Sequence, residues 1–203
     1  MIAIVDYNMG NLASVQNAFA KLGKKTVIES DPEKFKNYDK LLLPGVGAFG
    51  DAMTHLRERD MVESIREYAK SGKYMLGICL GMQLLFDSSE EFGFSEGLGL
   101  IKGSVTHFDI TKFSTPLKVP HMGWNRLFSE EHPLFNGLDK EHYLYFVHSY
   151  HVNCLNEADI IGRTRYGYEF TSAVASDNIL GLQPHPEKSH KNGLKILENF
   201  TNL

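Results

Sequence analysis

Short, unbroken apolar runs alternate with segments of helical period through the first 86 residues. That rhythm restricts the chain to a parallel sheet with right-handed crossovers and helices on both faces. Residues 2–6 predict the first strand. Asn11 then caps a segment in which Leu12, Val15, Phe19 and Leu22 recur at helical spacing, and Gly23 ends it. Residues 26–28 and 41–43 predict two more strands, the latter stopping at Pro44-Gly45. Met53, Leu56, Met61, Ile65 and Tyr68 mark one or two helices, with Asp60 and Glu63 placed as a capping pair and Gly72 as a stop. Residues 74–78 predict a fourth strand that must turn at once into a helix over 80–86.

Past Gly99 the texture changes to short strands, over residues 100–108, 143–152, 173–176 and 179–182. A last helix is expected over 193–200, with Ile196, Leu197 and Phe200 inward. No repeat, low-complexity tract or linker divides the 203 residues, so a single α/β domain spanning 1–203 is expected.

Composition narrows the function classes. A net charge of −4 argues against a nucleic-acid scaffold, which would carry a basic excess. No apolar run approaches the roughly 18 residues of a membrane span. The first residues lack the basic stretch and small-residue cleavage site of a signal peptide, so a cytoplasmic location is expected. The densest charge run, Arg57-Glu58-Arg59-Asp60, reads as a solvated connection between helices. Cys79 and Cys154 form no metal-ligand pattern, and a disulfide between them is not expected. His142, His148 and His151 are close in sequence but lack metal-site spacing; they read as satisfied strand histidines, and Cys154 as structural.

Three segments carry chemistry. In Gly77-Ile78-Cys79-Leu80-Gly81 a nucleophile sits between glycines at a strand-to-helix junction. Such a turn pushes the side chain out at the carboxyl edge of a sheet, the following helix N-terminus favours a thiolate, and the glycines leave room for the turn and for substrate. The bland alternative is a buried cysteine between packing glycines. In Gln183-Pro184-His185-Pro186-Glu187, prolines restrain a histidine at a strand end, and Glu187 can turn back to fix its tautomer; alternatively, this is a rigid turn with an exposed histidine. Pro44-Gly45-Val46-Gly47 can present backbone N–H groups toward the same spot as Cys79 and complete an oxyanion hole. It lacks the Gly-Lys-Ser/Thr of a phosphate loop.

Together, Pro44-Gly45-Val46-Gly47, Gly77-Ile78-Cys79-Leu80-Gly81-Met82-Gln83 and His185-Pro186-Glu187 resemble the triad (class I) glutamine amidotransferases. Asp6-Tyr7-Asn8-Met9-Gly10-Asn11-Leu12, Pro120-His121-Met122-Gly123-Trp124-Asn125 and Tyr145-Phe146-Val147-His148-Ser149-Tyr150-His151 are similar to their imidazole glycerol phosphate synthase branch. The resemblance runs in order along essentially the whole chain. It implies a flavodoxin-like core and glutamine hydrolysis without metal or organic cofactor. Cys79 would be the nucleophile, His185 the acid and base, and Glu187 the group that orients it. The amides of Val46 and Leu80 would be the oxyanion donors, with Gly45, Gly47, Gln83, Ser149 and Tyr150 contacting glutamine. Pro184 departs from the family, which more often has phenylalanine there, and this bears on the fine placement of His185.

Ammonia released into water becomes mostly ammonium, so a glutaminase of this kind must deliver it through protein. A (β/α)₈ barrel alone takes about 250 residues, so the acceptor must be another chain. The resemblance implies a barrel cyclase of histidine biosynthesis in a heterodimer, with Trp124 and Lys188 as candidate interface residues. The same glutaminase chemistry feeding a sugar amidotransferase is the nearest alternative. A non-catalytic binding subunit and a thiol peptidase are more distant ones.

Overall fold

In the computed structural model, which describes residues 1–203, the first strand shows why its sequence does not alternate. All four residues of β1 (Ile2–Val5) are buried. Ile2 and Ile4 pack on one face of the sheet, Ala3 and Val5 on the other. The elements that follow are α1 (Leu12–Lys21), β2 (Thr26–Glu29), β3 (Lys40–Leu43), α2 (Phe49–Glu58), α3 (Met61–Lys70), β4 (Met75–Ile78) and α4 (Leu80–Leu84). Seven strands come next: β5 (Ser88–Ser89), β6 (Ser95–Glu96), β7 (Gly103–His107), β8 (His121–Arg126), β9 (Phe128–Ser129), β10 (Tyr143–His148) and β11 (Tyr150–Cys154). The chain closes with β12 (Ile160–Tyr166), β13 (Tyr168–Ser176), β14 (Ile179–Leu182) and α5 (His190–Asn202).

Twelve strands form one sheet, in the order β2-β1-β3-β4-β14-β13-β11-β7-β5-β6, with β12 paired to β13 as well and β9 paired to β12. The core β2-β1-β3-β4-β14 is parallel throughout and has the flavodoxin-like order. From β14 outward the sheet continues antiparallel through β13, β11 and β7. The expected fold class is therefore present, extra strands included. On one face α2 and α3 bury Met53, Leu56, Ile65 and Tyr68; on the other, α1 and α5 bury Val15, Phe19, Ile196, Leu197 and Phe200. Covering both faces is what turns the parallel strands into continuous apolar runs.

Several local expectations need correction. Asp60 adopts φ +55° and makes no capping bond, while Glu63 pairs with Arg66 at 2.6 Å, so there is no capping pair. The helix after Cys79 ends at Leu84 rather than Phe86 because the chain turns there to reach β5. The stretch 143–152 is not one strand. It breaks at Ser149, and β10 pairs with β8 in a separate two-stranded sheet whereas β11 returns to the main one. The stretch 100–108 shortens to β7, and α5 begins three residues earlier than its apolar spacing indicated.

Candidate active site

β3, β4 and β14 are neighbours in the sheet and point the same way, so the residues after their carboxyl ends converge. After β3 comes the Pro44–Gly47 turn, after β4 comes Cys79, and after β14 come Gln183 and His185. Cys79 has φ +55° and ψ −113°, a strained conformation for a residue with a side chain, directly between strand and helix. Its N–H is held by Leu182 O at 2.7 Å.

The flanking glycines leave the room for the turn that was expected of them, but neither lines the cavity beside Cys79. A Cβ on Gly81 would lie 1.8 Å from Leu43 O, and one on Gly77 would lie 2.6 Å from Gly81 O. Their absent side chains serve the packing of helix on strand, not the approach of substrate. Gly45 is equally confined: a Cβ there would lie 2.6 Å from the Tyr7 hydroxyl and 2.9 Å from Gly81 N. Tyr7 is buried and donates to Pro44 O at 2.8 Å, pinning the turn that leads to Val46. Gly47 has φ +102°, which explains its residue type. No backbone acceptor takes the N–H of Val46 or Leu80.

His185 and Glu187 are both 3% exposed, with Nδ1 and Oε1 2.8 Å apart. A carboxylate only accepts, so Nδ1 carries the proton and Nε2 is the free end. Nε2 is buried and has no formed hydrogen bond, although the Cys79 sulfur is near enough to act on its proton affinity. Burial, the largest single effect, disfavours imidazolium; Cys79 and Glu187 together outweigh it and raise the pKa to about 10. Pro184 does not disturb this placement. Its missing N–H falls between two amides that are bonded, Gln183 N to Ser172 O at 2.9 Å and His185 N to Tyr145 O at 2.8 Å. Ser189 reinforces the turn, donating to His185 O at 2.6 Å and accepting from Tyr145 N at 2.9 Å.

These groups open into a cavity of about 490 Å³, lined among others by Val46, Gly47, Cys79, Leu80, Gln83, Ser149, Tyr150, His185 and Lys188. The site residues named from sequence are thus brought together, with two qualifications. Gly45 lies beneath the turn and does not line the cavity. Trp124 lies outside it, stacked on His190 at 4.9 Å and edge-on to Tyr145 at 6.2 Å. Lys188 approaches the same Tyr145 ring at 6.0 Å, so Trp124 and Lys188 share one patch beside the cavity.

Glu91, Phe92 and His107, which the sequence did not single out, also line the cavity, as do Val147 and His148, to which it gave no part in the site. Glu91 accepts from Phe49 N at 2.8 Å, and burial raises its carboxyl pKa. It sits beyond a two-residue strand, too short to leave a period in the sequence. Gln183 was legible, standing two residues before His185 at the same strand end. Its Nε2 reaches Cys79 Sγ at 3.7 Å, while the thiol donates toward Val147 O at 3.9 Å. Of the clustered histidines, His148 and His151 are hydrogen-bonded as expected; His142 binds Asp139 O through Nδ1, but its buried Nε2 has no partner. Both cysteines are free, and no helix is long and apolar enough to cross a membrane.

Comparison with known proteins gives the family. The family model for glutamine amidotransferase class-I matches residues 3–203. The imidazole glycerol phosphate synthase subunit HisH of Sulfurimonas denitrificans is 78% identical over 201 residues, covering 99% of this chain and 97% of that protein. The subunit of the same name from Wolinella succinogenes is 54% identical over 204 residues, covering all of both. Among solved structures, PurLQS from Thermotoga maritima superposes with a TM-score of 0.78 at 22% identity, over 99% of this chain and 97% of that one, a likeness of fold. The chain belongs to the class-I glutamine amidotransferases, enzymes that act as glutaminases, and within them to the HisH subunits of imidazole glycerol phosphate synthase.

Proposed function

We propose that this chain hydrolyses glutamine through a glutamyl thioester on Cys79 and passes the ammonia to a separate cyclase chain. The observation that carries this reading is that the strained Cys79 shares a cavity with His185, whose far nitrogen is fixed by a buried carboxylate at 2.8 Å. The thiolate adds to the side-chain carbonyl carbon, and the amides of Val46 and Leu80 hold the oxyanion. One such donor is worth about 3 kcal/mol. Imidazolium at His185 gives its proton to the amide nitrogen as the C–N bond breaks and ammonia leaves. Water, deprotonated by His185, then adds to the thioester, and loss of the C–S bond returns glutamate, thiolate and imidazolium.

Gln83 donates at 3.0 Å both to Tyr150 O and to Gln183 Oε1, which leaves its own Oε1 to accept from glutamine. Gly47 and the Ser149-Tyr150 backbone border the same space, and the Glu91 carboxylate suits an α-ammonium group. The partner is read as a barrel cyclase that makes imidazole glycerol phosphate and an aminoimidazole carboxamide ribotide in histidine biosynthesis. Similarity to proteins named as synthase subunits supports this, and the Trp124–Lys188 patch beside the cavity is the docking surface we assign to it. A cytoplasmic heterodimer suits an enzyme working through a free thiol. Residues 1–203 act as one domain in this reading, since both core clusters pack on the same sheet.

Trapping tests the proposal. A diazoketone analogue of glutamine should add its mass to the peptide containing Cys79 and not to that containing Cys154, and His185→Ala should suppress labelling. Labelling elsewhere, or none in a preparation that turns over glutamine, would overturn it.

A further inference from the structure

Resting on the reading of Cys79 as nucleophile, we propose that Gln183 is a further functional residue: its side-chain amide donates to the Cys79 sulfur and stabilises the thiolate. Amide nitrogen and oxygen are commonly assigned from their surroundings, so the orientation of Gln183 needs an argument. The backbone supplies it. Tyr150 O can only accept, so the Gln83 atom 3.0 Å away is its NH₂ group. That same NH₂ stands 3.0 Å from the Gln183 side chain, which must therefore present oxygen to it. The other end of Gln183, its NH₂, is then the group 3.7 Å from Cys79 Sγ. Gln183 is fully buried, so no water competes for this donor.

A second set of bonds also fixes Tyr150 O. His148 Nδ1 lies 2.7 Å from that carbonyl and must donate, which leaves Nε2 to accept from His121 Nδ1 at 3.0 Å. His121 Nε2 then accepts from Asn125 Nδ2 at 3.1 Å. Asn125 cannot turn over, because its oxygen accepts from Arg126 N at 2.8 Å and its NH₂ also donates to Arg165 O at 3.0 Å. Every donor and acceptor from Asn125 to Tyr150 O thus has one consistent direction when both histidines are neutral, and burial holds both pKa values well below 6.5. Fully satisfied buried networks of this kind rigidify their members. The carbonyl that orients Gln83, and through it Gln183, is thereby held in place.

The alkylation rate of Cys79 by iodoacetamide, without glutamine and in a Cys154→Ser background, tests the inference. Gln183→Met removes the donor, and Gln183→Glu keeps the shape while setting a carboxylate against the sulfur. A hydrogen bond to a charged group supports an expected slowing of about tenfold or more at pH 8, with Gln183→Glu slower than Gln183→Met. Glutamine kcat should fall in parallel with a smaller change in KM. A purely structural role ranks the variants oppositely, since glutamate preserves the packing; a fast glutamate variant beside a slow methionine one would overturn the proposal. So would wild-type alkylation rates in both. If Cys79 still traps the diazoketone in those variants, the nucleophile assignment survives either outcome.

Discussion

Nδ1 of His185 and Oε1 of Glu187 stand 2.8 Å apart in a site where both side chains are almost wholly buried, and Glu187 Oε2 has no partner at all. The carboxylate is therefore committed to the imidazole. It fixes the ring through Nδ1, leaving Nε2 free of any other partner, and helps hold a proton that burial alone would remove.

Replacing Glu187 by glutamine keeps an acceptor for Nδ1–H but removes the charge. His185→Ala removes the group that moves protons. Glutamine turnover should fall in both, and roughly tenfold or more further in His185→Ala. Steady-state kinetics on the two variants would contradict the assigned roles if the ranking were reversed.

The histidines respond to pH with opposite signs. His185 is raised from 6.5 to about 10, so its pairing stabilises the fold below pH 6.5 and that contribution is lost as pH rises through about 10. Glutaminase activity that depends on imidazolium should hold through pH 8 and decline toward 10. His121 and His148 are lowered by burial from 6.5 to about 4 and about 3. Their contribution is present above pH 6.5 and is lost as pH falls toward those values, on the order of a few kcal/mol in total. Denaturant titrations between pH 4 and 7 should show stability falling on acidification, with a shallower slope in a His121→Gln/His148→Gln double variant. An unchanged slope would contradict the assignment of these two histidines.

Gly81→Ala would drive a Cβ to 1.8 Å from Leu43 O, a backbone atom of the neighbouring strand. Helix and strand must separate to admit it, so chemical denaturation should report a loss of about 3 kcal/mol or more. Gly72→Ala has open space around the new methyl and meets only the strain of φ +78°, so it should cost less. Equal losses would remove the packing explanation for the elbow.

The free chain should hydrolyse glutamine slowly, and a ligand-loaded barrel partner should speed it by at least tenfold. Val46 is half exposed between Gly45 and Gly47, and one reoriented oxyanion amide there is worth roughly 10²–10³ in rate. Turnover measured alone, with partner, and with partner plus its ligand tests this; three equal values would leave a constitutive enzyme.

The parallel core was readable because each buried strand leaves an unbroken apolar run and each helix a period, as with residues 2–6 and the Leu12–Leu22 spacing. Cys79, His185 and Val46 were readable because strand ends in such a sheet converge. The edge was not. β5, β6 and β9 have two residues each, too few for a period, and the break at Ser149 depends on which sheet each half joins. Glu91 was hidden for the same reason, placed in the cavity by a turn between two such strands. The meaning of Gly77 and Gly81 needed atoms: a glycine that admits substrate and one that admits a strand look alike in sequence.

The central claim is that Cys79 alone opens the route from glutamine while leaving the acceptor reaction untouched. A Cys79→Ala chain combined with its barrel partner should form product from added ammonium salt at the wild-type rate and none from glutamine. Product from glutamine at the wild-type rate would contradict the account.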